Sequence, residues 1–390
     1  MFERSSNTIS LALGKYILGI AEATNVIQRI FVALLVLATV FAGVPASVAA
    51  ADQTVQCTFP MAVTDATGTE VTISEDPERV VTTNPSAAQT MWEIGARDEV
   101  VGVSQYATYL DGASEKANVS GSGGLNVEAV IGLEPNLVLV PESSYSAAPE
   151  RVKQLRDAGL AVVVLETSDS LDAVADKTER VGKLTGNCEA GEKLADEMRT
   201  SIEHMERALE DAERPVGLNS FFGYTSGANT FISDLMVTGG LQNGAAEANI
   251  TDFAPINDEA VVEMNPEYIV MPSHAPRPSS PAYNSTTAIK EGNVIVIEAH
   301  KLQQPAPRAI GASEAIMQAV HPDAYERYLE LENESAATAT QTTATDAPET
   351  TVTTDTSTTA EQTTETSAPG FGAVVSLVAL AGAALLARRA

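Results

Sequence analysis

Between residues 79 and 166 the apolar positions fall into two kinds of segment. Short β-branched runs at 79–83 (RVVTT), 100–104 (VVGVS), 137–141 (LVLVP) and 161–166 (AVVVLE) read as buried strands. Residues 86–94 and 149–158 between them carry apolar positions at helical spacing. Strand and helix in alternation predict a parallel α/β lobe. A long helical tract follows, in which Leu171, Val174, Val181 and Leu184 form one stripe before Gly186 and Asn187 supply a stop and a new N-cap. Leu194, Met198, Ile202, Met205 and Leu209 then recur at helical spacing through 189–210. Such a helix is about 30 Å long at roughly 1.5 Å per residue, enough to lie along two lobes. Arg214 and Pro215 end it, and residues 216–221 open a second α/β lobe.

Residues 127–140 (VEAVIGLEPNLVLV) return 131 positions later as 258–271 (DEAVVEMNPEYIVM). In each copy an apolar helical turn leads to Pro135 or Pro266 and then to a strand-like run. Helix, turn and strand recur by chance in α/β proteins, but this match also keeps Glu128 and Glu259 at the same step. Two similar halves facing each other are therefore expected. The cleft between such lobes is where small ligands sit.

The ends show where the chain works. Residues 30–44 are apolar but short for a membrane span, follow Arg29 and lead into small residues up to Ala50, which suits a cleaved signal region over 1–50. Glu3 and Glu22 fit an n-region poorly, so translation beginning near Val26 is one reading. Residues 331–368 are Thr-rich and hold no Lys or Arg, so they read as an unfolded, O-glycosylated stalk. Pro369-Gly370-Phe371, an apolar stretch and Arg388-Arg389 complete a sorting or anchor segment, 369–390. The pattern resembles the sorting signals of archaeal surface proteins, in which a lipid replaces a removable helix. The alternative is a plain C-terminal membrane helix. Either places the middle of the chain outside the cell. The expected division is thus 1–50, a first lobe 51–168, a helical connector 169–213, a second lobe 214–330, the stalk and the anchor.

Composition narrows the class of partner. Lys plus Arg number 23 against 52 Asp plus Glu, a net charge of −29. So acidic a surface stays soluble at high salt, as in a halophilic archaeon, and argues against nucleic acid. Sequons at Asn118, Asn249, Asn284 and Asn333 permit glycosylation. Cys57 and Cys188 are the only cysteines; an oxidising exterior allows them to pair, while a lipoprotein role for Cys57 fits its position poorly. The four histidines, His204 and His321 among them, lack zinc-type spacing, and no nucleophile elbow, P-loop or paired catalytic carboxylates occur. No enzyme, metal site or cofactor is expected. Ser86 reads as an N-cap of the first helix rather than a nucleophile.

Residues 79–104 (RVVTTNPSAAQTMWEIGARDEVVGVS), 124–140, 230–240 (TFISDLMVTGG) and Pro307-Arg308 resemble the cobalamin and ferric-siderophore family of ABC-importer substrate-binding proteins. The resemblance runs in order from about residue 79 to residue 328. It implies two Rossmann-like α/β lobes with parallel sheets, one long rigid helix joining them, and a monomer that hands its ligand to a membrane permease and its ATPase subunits. It also implies that Glu128 and Glu259, at the lobe tops, dock onto permease arginines. Taken alone, each would be an ordinary helix-start carboxylate favoured by the helix dipole.

The family's cleft is built from loops after strands of both lobes. In this chain the resemblance points to Pro85, Ser86, Tyr106, Tyr109 and the 143–145 loop with Tyr145 in the first lobe. In the second it points to Phe221, Phe222, Tyr224, His274 and the 300–308 loop with His300, Gln303, Gln304 and Arg308. Aromatic rings offer flat apolar area at low entropic cost. Cobalamin binders often carry a Trp in the second-lobe loop, where this chain has Lys301 and Gln303, and its only Trp, Trp92, lies in a predicted core helix. Ferric siderophores are mostly held by Arg clusters, and these loops offer only Arg277 and Arg308. Cobalamin is the expected ligand, with a ferric siderophore or haem as the alternative and a surface adhesion or envelope role as a third reading.

Overall fold

Each of the four β-branched runs between residues 79 and 166 becomes a strand. Val80–Thr82, Val100–Val103, Ala117–Asn118, Leu137–Pro141 and Val162–Leu165 form one sheet, all parallel, in spatial order third, second, first, fourth, fifth. Val216–Asn219, Gln242–Asn243, Tyr268–Pro272 and Val294–Ile297 form a second parallel sheet, ordered second, first, third, fourth. The inner strands are buried on both faces because helices cover both, which is why they read as continuous apolar runs. The computed structural model describes residues 57–121 and 123–345; the expected signal region, the stalk beyond Thr345 and the anchor segment lie outside them. A compact unit extends to Ser335, and a second unit begins at Ala336.

The internal repeat is structural as well as sequential. Helices Val127–Gly132 and Asp258–Met264 are capped by Asn126 and Asn257, whose side chains accept from the N–H groups of Ala129 at 3.1 Å and Ala260 at 2.8 Å. Each copy then places a left-handed residue before its proline, Glu134 at φ 47° and Asn265 at φ 42°. The strand that follows is central in its own sheet. In both sheets the strand order reverses between that strand and the first one. Such a switch point, at the carboxyl ends of the strands, is where open α/β sheets bind ligands.

Three expectations are corrected. The first helix is Pro85–Glu93, and Asn84 rather than Ser86 caps it, accepting from the Ala87 N–H at 3.3 Å. Proline fixes φ for the first helical residue and lacks an N–H, so the cap falls just before it. The 143–145 loop is part of the helix Glu142–Ala147, which has Glu142 in its first turn. The composition-based stalk boundary also shifts. The helix Pro322–Thr345 runs past residue 331, and Ser201 and the ring of His204 engage Glu332 at 3.1 and 2.8 Å. All four sequon asparagines are exposed.

The expected long helix joins the lobes, and a second helix antiparallel to it spans both as well. In Leu171–Leu184 the residues Leu171, Val174 and Ala175 pack in the second lobe's core, and Val181 and Leu184 in the first. Cys188–Ala208, about 31 Å long, starts on the first core with Ala190 and Leu194 and ends on the second with Ala195, Met198 and Ile202. Cys188 is bonded to Cys57, with Cα atoms 5.6 Å apart, so the start of this helix is stapled to the edge of the first lobe. The two helices touch backbone to backbone: a Cβ added to Gly182 would lie 2.7 Å from Gly191 Cα, and one on Gly191 2.8 Å from Gly182 Cα. Gly182→Ala or Gly191→Ala must push the helices apart. Each should lower stability to urea by about 1–3 kcal/mol, and unfolding curves that coincide with wild type would refute the contact.

Candidate functional site: the inter-lobe crevice

The second lobe's wall grows from the end of its first strand. Asn219, buried, donates to the Val270 carbonyl at 3.1 Å and accepts from Ser226 Oγ at 2.9 Å, which fixes where the strand stops. The chain then reverses through Phe222 and Gly223, with Phe221 and Tyr224 exchanging backbone hydrogen bonds of 3.0 and 2.8 Å. Both turn residues are left-handed, at φ 50° and 84°. Glycine accepts that freely; phenylalanine is strained there by about 1–3 kcal/mol. The turn thereby holds the Phe222 ring 55% exposed, edge-on to Phe221 at 5.0 Å and 5.8 Å from His274. His274 lies just past Tyr268–Pro272, the other strand of the switch point.

Tyr224 is 48% exposed just past this turn, and Phe253, 60% exposed, lies on the strand Phe253–Pro255 paired antiparallel with Tyr224–Ser226. Phe253 escaped the sequence reading because a three-residue strand carries no periodic signal. The first lobe offers Tyr106, 68% exposed in a turn after Val100–Val103. Tyr145 instead packs half-buried against the cluster of Val81, Val138 and Val164. Gln303 and Gln304 are half-buried in the second lobe's loop.

The remaining expected ligand residues meet at the seam between lobes. The Tyr109 and His300 rings stack at 4.8 Å and 13°. Gln89, fully buried, donates to the Tyr109 hydroxyl at 2.8 Å and accepts from the Arg308 backbone N–H at 2.9 Å, while Arg308 Nε donates to Glu93 at 2.7 Å. Pro85 and Ser86 are buried beneath the same contact. Burial raises the Tyr109 pKa and lowers that of His300, against the pull of Glu298, so at neutral pH the stacked pair meets uncharged. Lys177 adds a bond from Nζ to the Pro305 carbonyl at 2.7 Å. Its sequence signal was legible, since it falls on the apolar stripe between Val174 and Val181. Gln89 gave a weaker one, a polar residue among Ala87, Ala88 and Met91, all buried.

Glu128 and Glu259 are exposed, each second in its capped helix, and neither has an ion-pair partner among the described residues. No cluster of three metal-ligating side chains occurs among those residues, and no helix of theirs is long and apolar enough to cross a membrane.

Residues 80–300 match the sequence pattern of one protein family, the periplasmic binding proteins. The chain belongs to that family. This periplasmic binding protein is 40% identical over 381 residues to the cobalamin-binding protein of Halobacterium salinarum, covering 92% of this chain and 98% of that one. It is 24% identical to the vitamin B12-binding protein of Vibrio cholerae over 61% of this chain and 87% of the relative. Among solved structures, the haem-binding protein from a Roseiflexus species superposes with TM-score 0.56 at 26% identity, over 62% of this chain and 98% of that one. The Vibrio cholerae vitamin B12-binding protein gives 0.56 at 22%, over 64% and 98%, a likeness of fold. These relatives are binding proteins, not enzymes. Residues 368–390 match the PGF-CTERM motif, which marks anchoring at the archaeal cell surface.

The seam predicts a pH dependence. Burial lowers the Lys177 pKa to about 8, with Glu166 opposing the shift, whereas the unfolded chain keeps its ordinary 10.5. Below about 8 both states are protonated and the desolvation cost is fully present. Between 8 and 10.5 the unfolded state binds the extra proton, so stability rises with pH, by roughly 3 kcal/mol across the window. Urea unfolding at pH 7.5 and 10 should show that gain in wild type relative to Lys177→Met; equal pH slopes for the two would refute it.

Proposed function

We propose that this chain is the surface-anchored substrate-binding component of an ABC importer and that it captures cobalamin. The observation that carries the reading is the similarity to the Halobacterium cobalamin-binding protein along nearly the whole of both chains. The crevice supports it. A corrin presents broad faces and a fringe of amides, and it suits aromatic walls with neutral donors. Tyr106, Phe222, Tyr224 and Phe253 supply exposed rings, and Gln303 and Gln304 supply amides. A ferric siderophore would need cations, and of the two arginines in these loops Arg308 is already committed to Glu93. Family membership with importer components weighs against an adhesion role.

Docking onto a permease would use Glu128 and Glu259. One helical turn beyond each, at matched repeat positions, Ile131 and Val262 are 38% and 53% exposed, so each lobe offers a carboxylate beside an aliphatic side chain. A groove lined by Val262, Pro281 and Ala282 adjoins Glu259. The same patch twice suits a partner with two like binding faces.

Tyr106→Ala with Tyr224→Ala should weaken cyanocobalamin binding by about 1–3 kcal/mol in calorimetry. No heat with any corrinoid, alongside tight binding of an anionic iron chelate or haem, would overturn the ligand assignment. Replacing Glu128 and Glu259 together by Ala should abolish cellular uptake while leaving that affinity within about twofold, each buried charge pair being worth about 2–5 kcal/mol. Normal uptake by the double variant would rule out docking through these carboxylates.

A further inference from the structure

The four histidines are used very differently. His204 engages Glu332 and Ser335, His321 contacts the Gly240 carbonyl at 2.9 Å, and His300 lies 3.3 Å from Glu298 while stacked on Tyr109. His274 alone of the four has no hydrogen-bond partner for its ring nitrogens among the described residues. It is exposed, yet its position is fixed. The Ser273 N–H donates to Ile297 O at 2.7 Å and the Ala275 N–H to Pro272 O at 3.0 Å, with Pro272 and Pro276 on either side. Phe221 and Phe222 stand beside the ring, each 5.8 Å away by centroid. An imidazole with free nitrogens, held at a sheet's switch point beside two phenyl rings, is unlike a solvated surface histidine.

We infer that His274 coordinates the metal of the bound macrocycle through an axial position. The inference rests on the proposal that the crevice holds a cobalamin. The ring nitrogens of a corrin or porphyrin occupy the metal's equatorial plane and leave axial sites for an imidazole, a good ligand for such metals. In aquocobalamin one axial site carries an exchangeable water. Ligation breaks the cobalt–oxygen bond, forms a cobalt–nitrogen bond from an imidazole nitrogen lone pair, and releases the water to solvent. The oxidation state of the cobalt does not change. In cyanocobalamin a tightly held cyanide occupies that site, so the same histidine contributes only packing. The receptor thereby favours cobalamins whose upper face is free.

The full chain titrated with aquocobalamin and, separately, cyanocobalamin tests this by visible absorption and calorimetry. Bound aquocobalamin should acquire the spectrum of its imidazole adduct. His274→Ala should lose that change and weaken aquocobalamin binding about tenfold or more beyond whatever loss of packing it causes with cyanocobalamin; equal weakening of the two would overturn the ligation. His300→Ala should keep the spectral change. Binding of both cobalamins with no spectral change in wild type, or a change that survives His274→Ala, overturns the ligation while leaving the cobalamin reading intact. Binding of neither cobalamin by folded wild type overturns that reading. In that case a His274-dependent shift in the spectrum of ferric haem would uphold coordination with haem as the ligand, and its absence would overturn both.

Discussion

Where Gly182 and Gly191 meet, two helix backbones approach until no side chain fits between them, and the geometry of the whole crevice is referred to that contact. Each helix of the pair carries part of one lobe's core at one end and part of the other's at the other end. Neither lobe can rotate without dragging both helices through a crossing that has no slack. The disulfide from Cys57 to Cys188 ties the pair's turn to the first lobe, and bonds from Lys177 to Pro305 and between Arg308 and Gln89 add to the join. What would otherwise be two α/β units on a tether is one rigid frame with a gap of set width.

Much of this frame was legible in the sequence because it rests on burial. The strands announced themselves as β-branched runs, the two spanning helices as apolar stripes, and the internal repeat as a literal recurrence whose left-handed Glu134 and Asn265 now give it backbone meaning. A stripe shows which face of a helix is buried, not that it is shared between two cores, so the first helix's part in the connection is silent in the sequence. The glycine pair was silent for a related reason. A glycine at helical spacing lowers helix propensity, and only the partner's position turns it into a contact.

The crevice was less legible, and the residues show why. Tyr106, Phe222 and Tyr224 are exposed, but Tyr109, His300 and Arg308, equally plausible by type, are used between the lobes. An aromatic ring in a loop has the same sequence signature whether it faces a ligand or another ring. Asn84 took the cap from Ser86 because of a proline whose effect is local and readable in hindsight. Phe253 required the pairing of two three-residue strands far apart in the chain. The strained turn at Phe222 is the clearest mark of function, since a residue kept in a costly conformation is one whose placement matters.

The braced seam has a consequence for how an occupied receptor is told from an empty one. A two-lobed protein that swings shut advertises its cargo by changing shape. Here the hinge is filled by a buried amide, a stacked ring pair and a lysine bonded across the gap, so little swing is available. Nothing is then spent on selecting a closed population before capture. Recognition of loading then has little closure to draw on.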